Sequence, residues 1–152
     1  EVLFRRDEEL TAVFHKDSVF LEDGQKSVTL KDLEDVPLSL SSGCSEIVLK
    51  AFAQKSMVPR ITCTSTTRST TLEWTRVKAA VSIVPVEEGE DLGEEFVARP
   101  ISDITADVYK TVVKVKDRPL SVAAQHFLKF YSKTRNSQQV CDLDAILKSS
   151  NL

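Results

Sequence analysis

The chain has 152 residues, with 20 basic and 23 acidic side chains and a formal net charge of -3 at pH 7. This length suits one domain, and a chain of this size buries about 70% of the surface that its unfolded form exposes, so a hydrophobic core can hold it together without crosslinks. The negative net charge excludes a general affinity for nucleic acid phosphates, so this chain alone is not expected to bind DNA.

The cysteines and the termini bear on where the protein works. Cys44, Cys63 and Cys141 are odd in number and lack metal-ligand spacing, which favours a reducing cytoplasm over a disulfide framework or a zinc site. No apolar run approaches the roughly 20 residues of a membrane helix, and the N-terminus has no signal pattern. We expect a soluble, cytoplasmic protein without a membrane partner. Because Met57 is the only methionine, we also expect a piece of a longer protein.

Hydrophobic periodicity predicts alternating strands and helices in the first part of the chain. Ile47, Val48, Ala51 and Phe52, for example, fall on one face of a helix. Pro85 is expected to end the strand that precedes it. The predicted elements are a strand over 10–14, a helical turn over 27–33, a strand over 38–40, a helix over 44–56, a strand over 60–64, a weaker helix over 66–78 and a strand over 81–84. The β-α-β-α-β order predicts a largely parallel sheet covered by helices.

The second part of the chain begins with a run of six acidic residues over 87–95, which is typical of a solvated loop. An extended segment over 96–101 and a strand over 109–115 follow. Ser121 is expected to cap a helix over 121–133, and residues 140–147 suggest a short last helix. The apolar stripe of the capped helix is predicted to be core: Leu120, Ala123, Ala124, Phe127, Leu128 and Tyr131.

Two loops rich in hydroxyl groups follow neighbouring predicted strands, and they form the candidate ligand site. In an open α/β sheet, ligands collect where strands end and helices begin, because the first helical turn leaves N–H groups unpaired and partly positive. Two such loops from adjacent parallel strands would face one crevice, suited to a small carboxylate or similar polar ligand. The candidate ligand-binding residues are Ser41, Ser42, Gly43 and Cys44 in the first loop and Thr64, Ser65 and Thr66 in the second.

Ordinary helix capping explains the same loops equally well, since Ser, Thr and Gly are common N-cap residues. Cys44, on the first helical turn, is either a reactive thiol favoured by the helix end or a buried inert one. His15 and His126 are far apart in sequence and form no nucleophile–base arrangement, and there is no Gly-rich phosphate loop. We therefore predict no catalytic residue, no metal and no cofactor.

A family resemblance covers most of the chain. It is carried by five segments in a fixed order: LFRRDEELTAVFHKD, SVTLKDLEDVPLSL, VKAAVSIVP, EFVARPISD and DRPLSVAAQHFLKFYSK. In this order they resemble the effector-binding domain of LysR-type transcriptional regulators, from about its middle to its end. The resemblance implies an α/β, type 2 periplasmic-binding-protein-like bilobal fold with parallel-rich sheets, helices on both faces and an effector between the lobes.

The same resemblance implies a division of the chain. Residues 1–26 would hold the outgoing crossover strand and a remnant of the near lobe, and residues 27–95 the far lobe. Residues 96–135 would hold the returning crossover and a near-lobe strand and helix, and residues 136–152 a C-terminal tail. The near lobe is incomplete, and the helix-turn-helix of such regulators is absent. VKAAVSIVP also lacks the glycine-containing turn usual in the family, which leaves Ala79 and Ala80 in a shortened connection.

In function, the resemblance implies an effector sensor that forms homodimers within tetramers and reaches DNA only through the absent N-terminal domain. Both candidate loops would line the far-lobe side of the cleft. Two alternatives stay open. One is a thiol-based redox sensor that uses Cys44, and the other is a solute-binding or enzymatic domain on the same fold.

Overall fold

A computed structural model describes residues 1–21, 24–134, 138–139 and 147. The chain forms two compact units. The larger comprises Glu8–Val108, and the smaller comprises Glu1–Asp7 together with the described residues from Tyr109 on. None of the described helices is both long enough and apolar enough to cross a membrane.

The larger unit is an α/β sheet with two crossover helices. Its elements are β1 (Val2–His15, shared with the smaller unit), β2 (Pro37–Ser41), α1 (Ser42–Gln54), β3 (Arg60–Ser65), α2 (Arg68–Arg76), β4 (Val81–Val86) and β5 (Phe96–Pro100). The strand order is β3-β2-β4-β1-β5. β2 runs parallel to β3 and β4, because a helix carries the chain back between each of these strands. β1 is antiparallel to both β4 and β5, so the sheet is mixed rather than largely parallel.

The two helices cover opposite faces of this sheet. Successive side chains of a strand point to opposite faces, and neighbouring residues of β4 pack against different helices. On one face, Val48 and Phe52 of α1 pack in the main core with strand residues such as Leu40 and Ile83. On the other face, Leu72 of α2 packs against a smaller cluster: Val13, Val84 and Val86. The expectation of helices on both faces is therefore confirmed for this unit.

One expectation for the larger unit was wrong. Pro85 does not end its strand, since it pairs with Leu10 of β1 and β4 continues to Val86. β2 pairs with β4 only as far as Ile83, so Pro85 lies where one side of the strand has no partner in register. Val28 forms an isolated bridge with Ile101, and the helical turn expected over 27–33 appears as hydrogen-bonded turns over 30–35. There, the Thr29 hydroxyl and the Asp32 carboxylate each accept a hydrogen bond from the other residue's amide.

Both helices of the larger unit end in the same way. At the end of α1, the amides of Ser56 and Met57 donate to the carbonyls of Ala53 and Phe52. At the end of α2, Lys78 and Ala79 repeat this pattern, which is a Schellman motif. Ser56 and Lys78 take the left-handed position at φ 56° and φ 60°, where glycine is usual. In the short connection before β4, the left-handed position of the turn is therefore occupied by Lys78 instead of a glycine.

The smaller unit contains β6 (Val108–Val113), which pairs with β1, the helix α3 (Val122–Thr134) and β7 (Gln138–Gln139). Its core comprises Leu3, Phe4, Leu128 and Leu147. The Ser121 hydroxyl accepts a hydrogen bond from the Ala124 amide at 3.2 Å, which confirms the predicted cap of α3. The predicted helix over 140–147 lies outside the described residues, apart from Leu147.

The predicted core stripe of α3 was wrong at one edge. Phe127 is 53% exposed and Ala123 is exposed, whereas Leu128 is 3% exposed. Gln125 is buried instead, and its side-chain amide donates to the Leu120 carbonyl at 3.1 Å. A buried amide is acceptable there because its polar group is hydrogen-bonded, which apolar periodicity alone cannot reveal.

Candidate functional site

The two candidate loops begin at the same edge of the sheet, on neighbouring parallel strands. Leu40 pairs with Thr64, and Ser41 pairs with Ser65, the last residues of β2 and β3. Because Ser41 and Ser65 are in register, the two loops leave the sheet from adjacent positions. Both residues are buried, at 8% and 7% exposure.

The start of α1 has an open first turn. Ser41 is the N-cap residue, with extended φ and ψ of -81° and 140°, but its side chain accepts no hydrogen bond from the turn that it precedes. In the part of the chain that the structure describes, no side chain accepts from the amides of Ser42, Gly43 or Cys44 either. Ser42 and Gly43 are exposed. A Cβ placed on Gly43 would meet nothing within 4 Å, so the space beside Gly43 is open.

The hydroxyl of Ser41 is used inside the protein instead. Its Oγ lies 3.1 Å from Cys44 Sγ, and the thiol also lies 3.4 Å from the carbonyl oxygens of Ser41 and Ile83. Cys44 is 1% exposed, as one of the residues of the main core. A thiol that is held by carbonyl acceptors and shielded from solvent fits the inert alternative, and no contact of Cys44 favours the redox alternative.

The end of β3 differs from the end of β2. Thr64 and Thr66 are exposed, and Ser65 Oγ lies 3.6 Å from Cys63 Sγ. The cap of α2 is Thr67, whose hydroxyl accepts a hydrogen bond from the Thr70 amide at 3.2 Å. Capping therefore explains part of this loop's composition. The capping residue is Thr67, which follows the three candidate residues of the loop and was not itself a candidate. The predicted helix began at residue 66, so Thr67 was expected inside it, whereas α2 begins at Arg68 and leaves Thr67 at the N-cap.

The two histidines weighed for catalysis belong to different units. His15 Nδ1 accepts a hydrogen bond from the Asp17 amide at 3.1 Å, and His126 is exposed on α3 in the smaller unit. Among the described residues, no group of three or more His, Cys, Asp or Glu side chains could hold a metal ion.

Two surface depressions in the larger unit lie away from the candidate loops, and the sequence did not indicate them. They measure 330 Å³ and 350 Å³ and share the segment Ile104, Thr105 and Ala106. The first is also lined by Lys50 and Gln54 of α1. Neither depression includes a candidate residue.

Mixed strands, crossover helices on both faces and a candidate site at one sheet edge define an α/β domain of the type 2 periplasmic-binding-protein class. The model of one family, the LysR substrate binding domain, matches residues 2–135. The chain belongs to this family of effector-binding domains of LysR-type transcriptional regulators. This confirms the resemblance seen in the sequence.

Solved structures agree on the fold. The effector-binding domain of QuiR in complex with shikimate matches with a TM-score of 0.65 and 20% identity, over 86% of this chain and 62% of that one. The regulatory domain of CcmR from Synechocystis PCC6803, in complex with 2-PG, matches with a TM-score of 0.62 and 16% identity, over 88% and 69%. CbnR, a LysR family transcriptional regulator, matches with a TM-score of 0.61 and 23% identity, over 78% and 43%.

The chain therefore spans less than two thirds of the QuiR domain and less than half of CbnR. No curated protein matches the sequence at a significant level.

Proposed function

We propose that this chain senses a small polar or carboxylate effector at the edge where β2 and β3 end. One observation carries the proposal: the open first turn of α1 follows the end of β2, which lies beside the end of β3, where Thr64 and Thr66 are exposed. Free amides at a helix start carry a partial positive charge and point outward, which suits an anionic group. Shikimate, the ligand of the QuiR structure, is a small carboxylate of this kind.

Each candidate residue has a defined part in this proposal. The amides of Ser42, Gly43 and Cys44 receive the anionic group, and the thiol of Cys44 stays inside the core. The hydroxyls of Ser42, Thr64 and Thr66 are exposed and can contact polar groups of the effector. Ser41 and Ser65 form the floor at the strand ends.

The proposal includes the transmission of the signal. An effector that binds one arrangement of a regulator better than another shifts the population of arrangements, and DNA-binding domains joined to this chain in the whole regulator would respond to that shift. In this proposal the regulator associates into homodimers or tetramers through this regulatory domain, and it contacts DNA only through domains joined to it. We assign no catalytic step to it.

The test is a titration of the ¹⁵N-labelled chain with shikimate, followed by NMR. We expect saturable shifts at the amides of Ser42, Gly43 and Cys44, and none at Ser69 and Thr70 of α2, whose cap is occupied. The methyl ester of shikimate, which lacks the charge, should shift the α1 amides much less. Shifts of equal size at both helix starts, or no saturable shift at α1 with shikimate or 2-PG, would refute the site.

A matched pair of variants sharpens the test. Ser42→Asp places a carboxylate on the open turn, so it should abolish the shikimate shifts while stabilising the fold by about 0.3–1 kcal/mol. Ser69→Asp introduces the same charge on the first turn of α2 and should leave shikimate binding unchanged. Binding that survives Ser42→Asp would move the site elsewhere.

A further inference from the structure

The two helices of the larger unit are attached to the sheet by different chemistry. The fully buried side chains of α1 are Cys44, Val48 and Phe52. Those of α2 are Thr71 and Thr75, both 0% exposed. Leu72, which is only partly buried, packs against the apolar cluster under α2. The inner face of α2 therefore presents hydroxyl groups where the inner face of α1 presents apolar side chains.

These hydroxyls form a network with β4. Thr75 Oγ1 lies 2.6 Å from Ser82 Oγ and 3.3 Å and 3.1 Å from the carbonyl oxygens of Val13 and Ala80, which are alternative acceptors for its single proton. Ser82 Oγ donates to the Thr71 carbonyl at 2.8 Å. When the helix lifts, water can replace the hydrogen bonds of these hydroxyls. Apolar side chains gain no such compensation when they become exposed to water.

The network is also incomplete. Ser39 is in register with Ser82 on the neighbouring strand and is 0% exposed. Its hydroxyl has no hydrogen-bond partner among the described residues. A buried hydroxyl without a partner destabilises the closed arrangement, because it has lost the hydrogen bonds that it makes in water.

Ion pairs on the outside do little to hold α2 in place. Arg68 pairs with Glu90 at 3.0 Å and Arg76 with Glu95 at 3.1 Å, both from the acidic segment after β4. The four side chains are 25% to 50% exposed, so solvent and salt weaken both pairs.

We propose that α2 lifts from the sheet as a separate unit, in a local opening that leaves α1 and the sheet folded. The proposal does not depend on the ligand site, since it concerns the chain without a ligand. If the ligand site is also as proposed, the opening reshapes one rim of it, because Thr66 immediately precedes the cap of α2.

The test is native-state hydrogen exchange on the complete 152-residue chain in increasing urea. Amides of Leu72 to Arg76 in α2 should exchange about 100-fold faster than amides of Val48 to Phe52 in α1, because α1 anchors two more large apolar side chains. Their exchange should also depend only weakly on urea, as expected for a local opening. Equal rates and equal urea dependence in the two helices would overturn the proposal.

Trp74, the only tryptophan, lies on α2 and gives an independent readout. Its fluorescence should change at a lower urea concentration than the far-UV circular dichroism of the whole chain. Coincident transitions would contradict a separately opening helix.

Variants connect the opening to the hydroxyls. Thr75→Ala, which removes the centre of the network, should speed exchange in α2 by about tenfold and leave α1 unchanged. Thr75→Val removes the same hydroxyl but keeps the shape of the side chain, and it should have the same effect. It replaces Thr75→Ala in the test if that variant is too unstable to measure. Ser69→Ala removes an exposed hydroxyl of the same helix, and it should change the exchange rates of neither α1 nor α2. Exchange that increases equally in both helices would show that the network supports the whole fold, and the proposal would fail.

Discussion

The helices α1 and α2 follow neighbouring parallel strands and are preceded by loops of similar composition, yet they differ at their starts and on their inner faces. The first turn of α1 is open, and the helix is anchored by apolar side chains. The start of α2 is closed by Thr67, and its inner face is made of hydroxyls. A firmly anchored helix can present an open end without becoming unstable, whereas a weakly anchored helix gains from its cap.

The largest expected effect tests the anchors. Phe52→Ala removes a fully buried ring from the main core and should lower the free energy of unfolding by about 3–5 kcal/mol. Leu72→Ala removes the partly buried apolar contact of α2 and should cost less than about 2 kcal/mol. Urea unfolding followed by circular dichroism measures both. Equal losses would mean that the two helices are anchored alike.

The sequence predicted the order and type of most elements, because periodicities of 3.6 and 2 residues are local properties. It also predicted that the two candidate loops lie at one sheet edge, since consecutive parallel strands joined by helices often pair. The antiparallel placement of β1 beside β4 joins residues about seventy positions apart, and local patterns do not encode such a pairing.

The candidate site could be predicted only in part, for physical reasons. Which hydroxyl caps a helix depends on its position relative to the first turn, so Thr67 closes α2 whereas Ser41 turns to Cys44. The burial of Cys44 follows from its place on the inner face of α1, which composition does not show. Which of these residues contact an effector stays a prediction.

The next effect concerns the C-terminal ends of the two helices. A lysine just after each helix pairs with an aspartate, Lys55 with Asp103 after α1 and Lys78 with Asp17 after α2. Asp103 accepts hydrogen bonds from the Leu30 amide at 2.9 Å and from Lys55, just after α1. Partial burial acts to raise the pKa of Asp103, but these donors outweigh it and hold the pKa below its ordinary value. A lowered pKa means that the ionised carboxylate stabilises the fold, and that this contribution is lost as the pH falls through the folded-state pKa.

Asp103→Asn should therefore lower the free energy of unfolding by about 1–2 kcal/mol at pH 7. The difference from the unmodified chain should begin to shrink at about pH 4, where Asp103 becomes protonated in the unfolded chain, and should fall further as the pH drops through the lower folded-state pKa. Urea unfolding of both chains at several values from about pH 3 to about pH 7, which covers much of the carboxyl titration, measures the loss of unfolding free energy and its pH dependence. A difference that does not change with pH would show that the charge of Asp103 has no part in stability.

A smaller effect tests the caps directly. Thr67→Ala removes the acceptor for the Thr70 amide and should destabilise the fold by about 1 kcal/mol. Ser41→Ala changes the equivalent position before α1 but removes no cap, so it should cost no more than about 0.5 kcal/mol. Thermal unfolding of the two variants side by side makes the measurement. A loss for Ser41→Ala as large as that for Thr67→Ala would mean that the hydrogen bond between Ser41 Oγ and Cys44 Sγ stabilises α1 as much as a cap stabilises α2.

The smallest effect is expected where the two helices are alike, at the left-handed residues after each helix. Ser56→Gly relieves a conformation that costs about 1–2 kcal/mol for a residue with a Cβ, but glycine adds freedom to the unfolded chain, so the net gain should be about 0.5 kcal/mol. Lys78→Gly gives the same relief and should gain less, because Lys78 also pairs with Asp17 at 3.1 Å. The hydrogen bond from Lys78 lowers the pKa of Asp17, so this pKa should rise towards its ordinary value in Lys78→Gly and stay unchanged in Ser56→Gly. Thermal unfolding and an NMR titration of Asp17 separate the two contributions, and a destabilised Ser56→Gly would contradict the left-handed turn that ends α1.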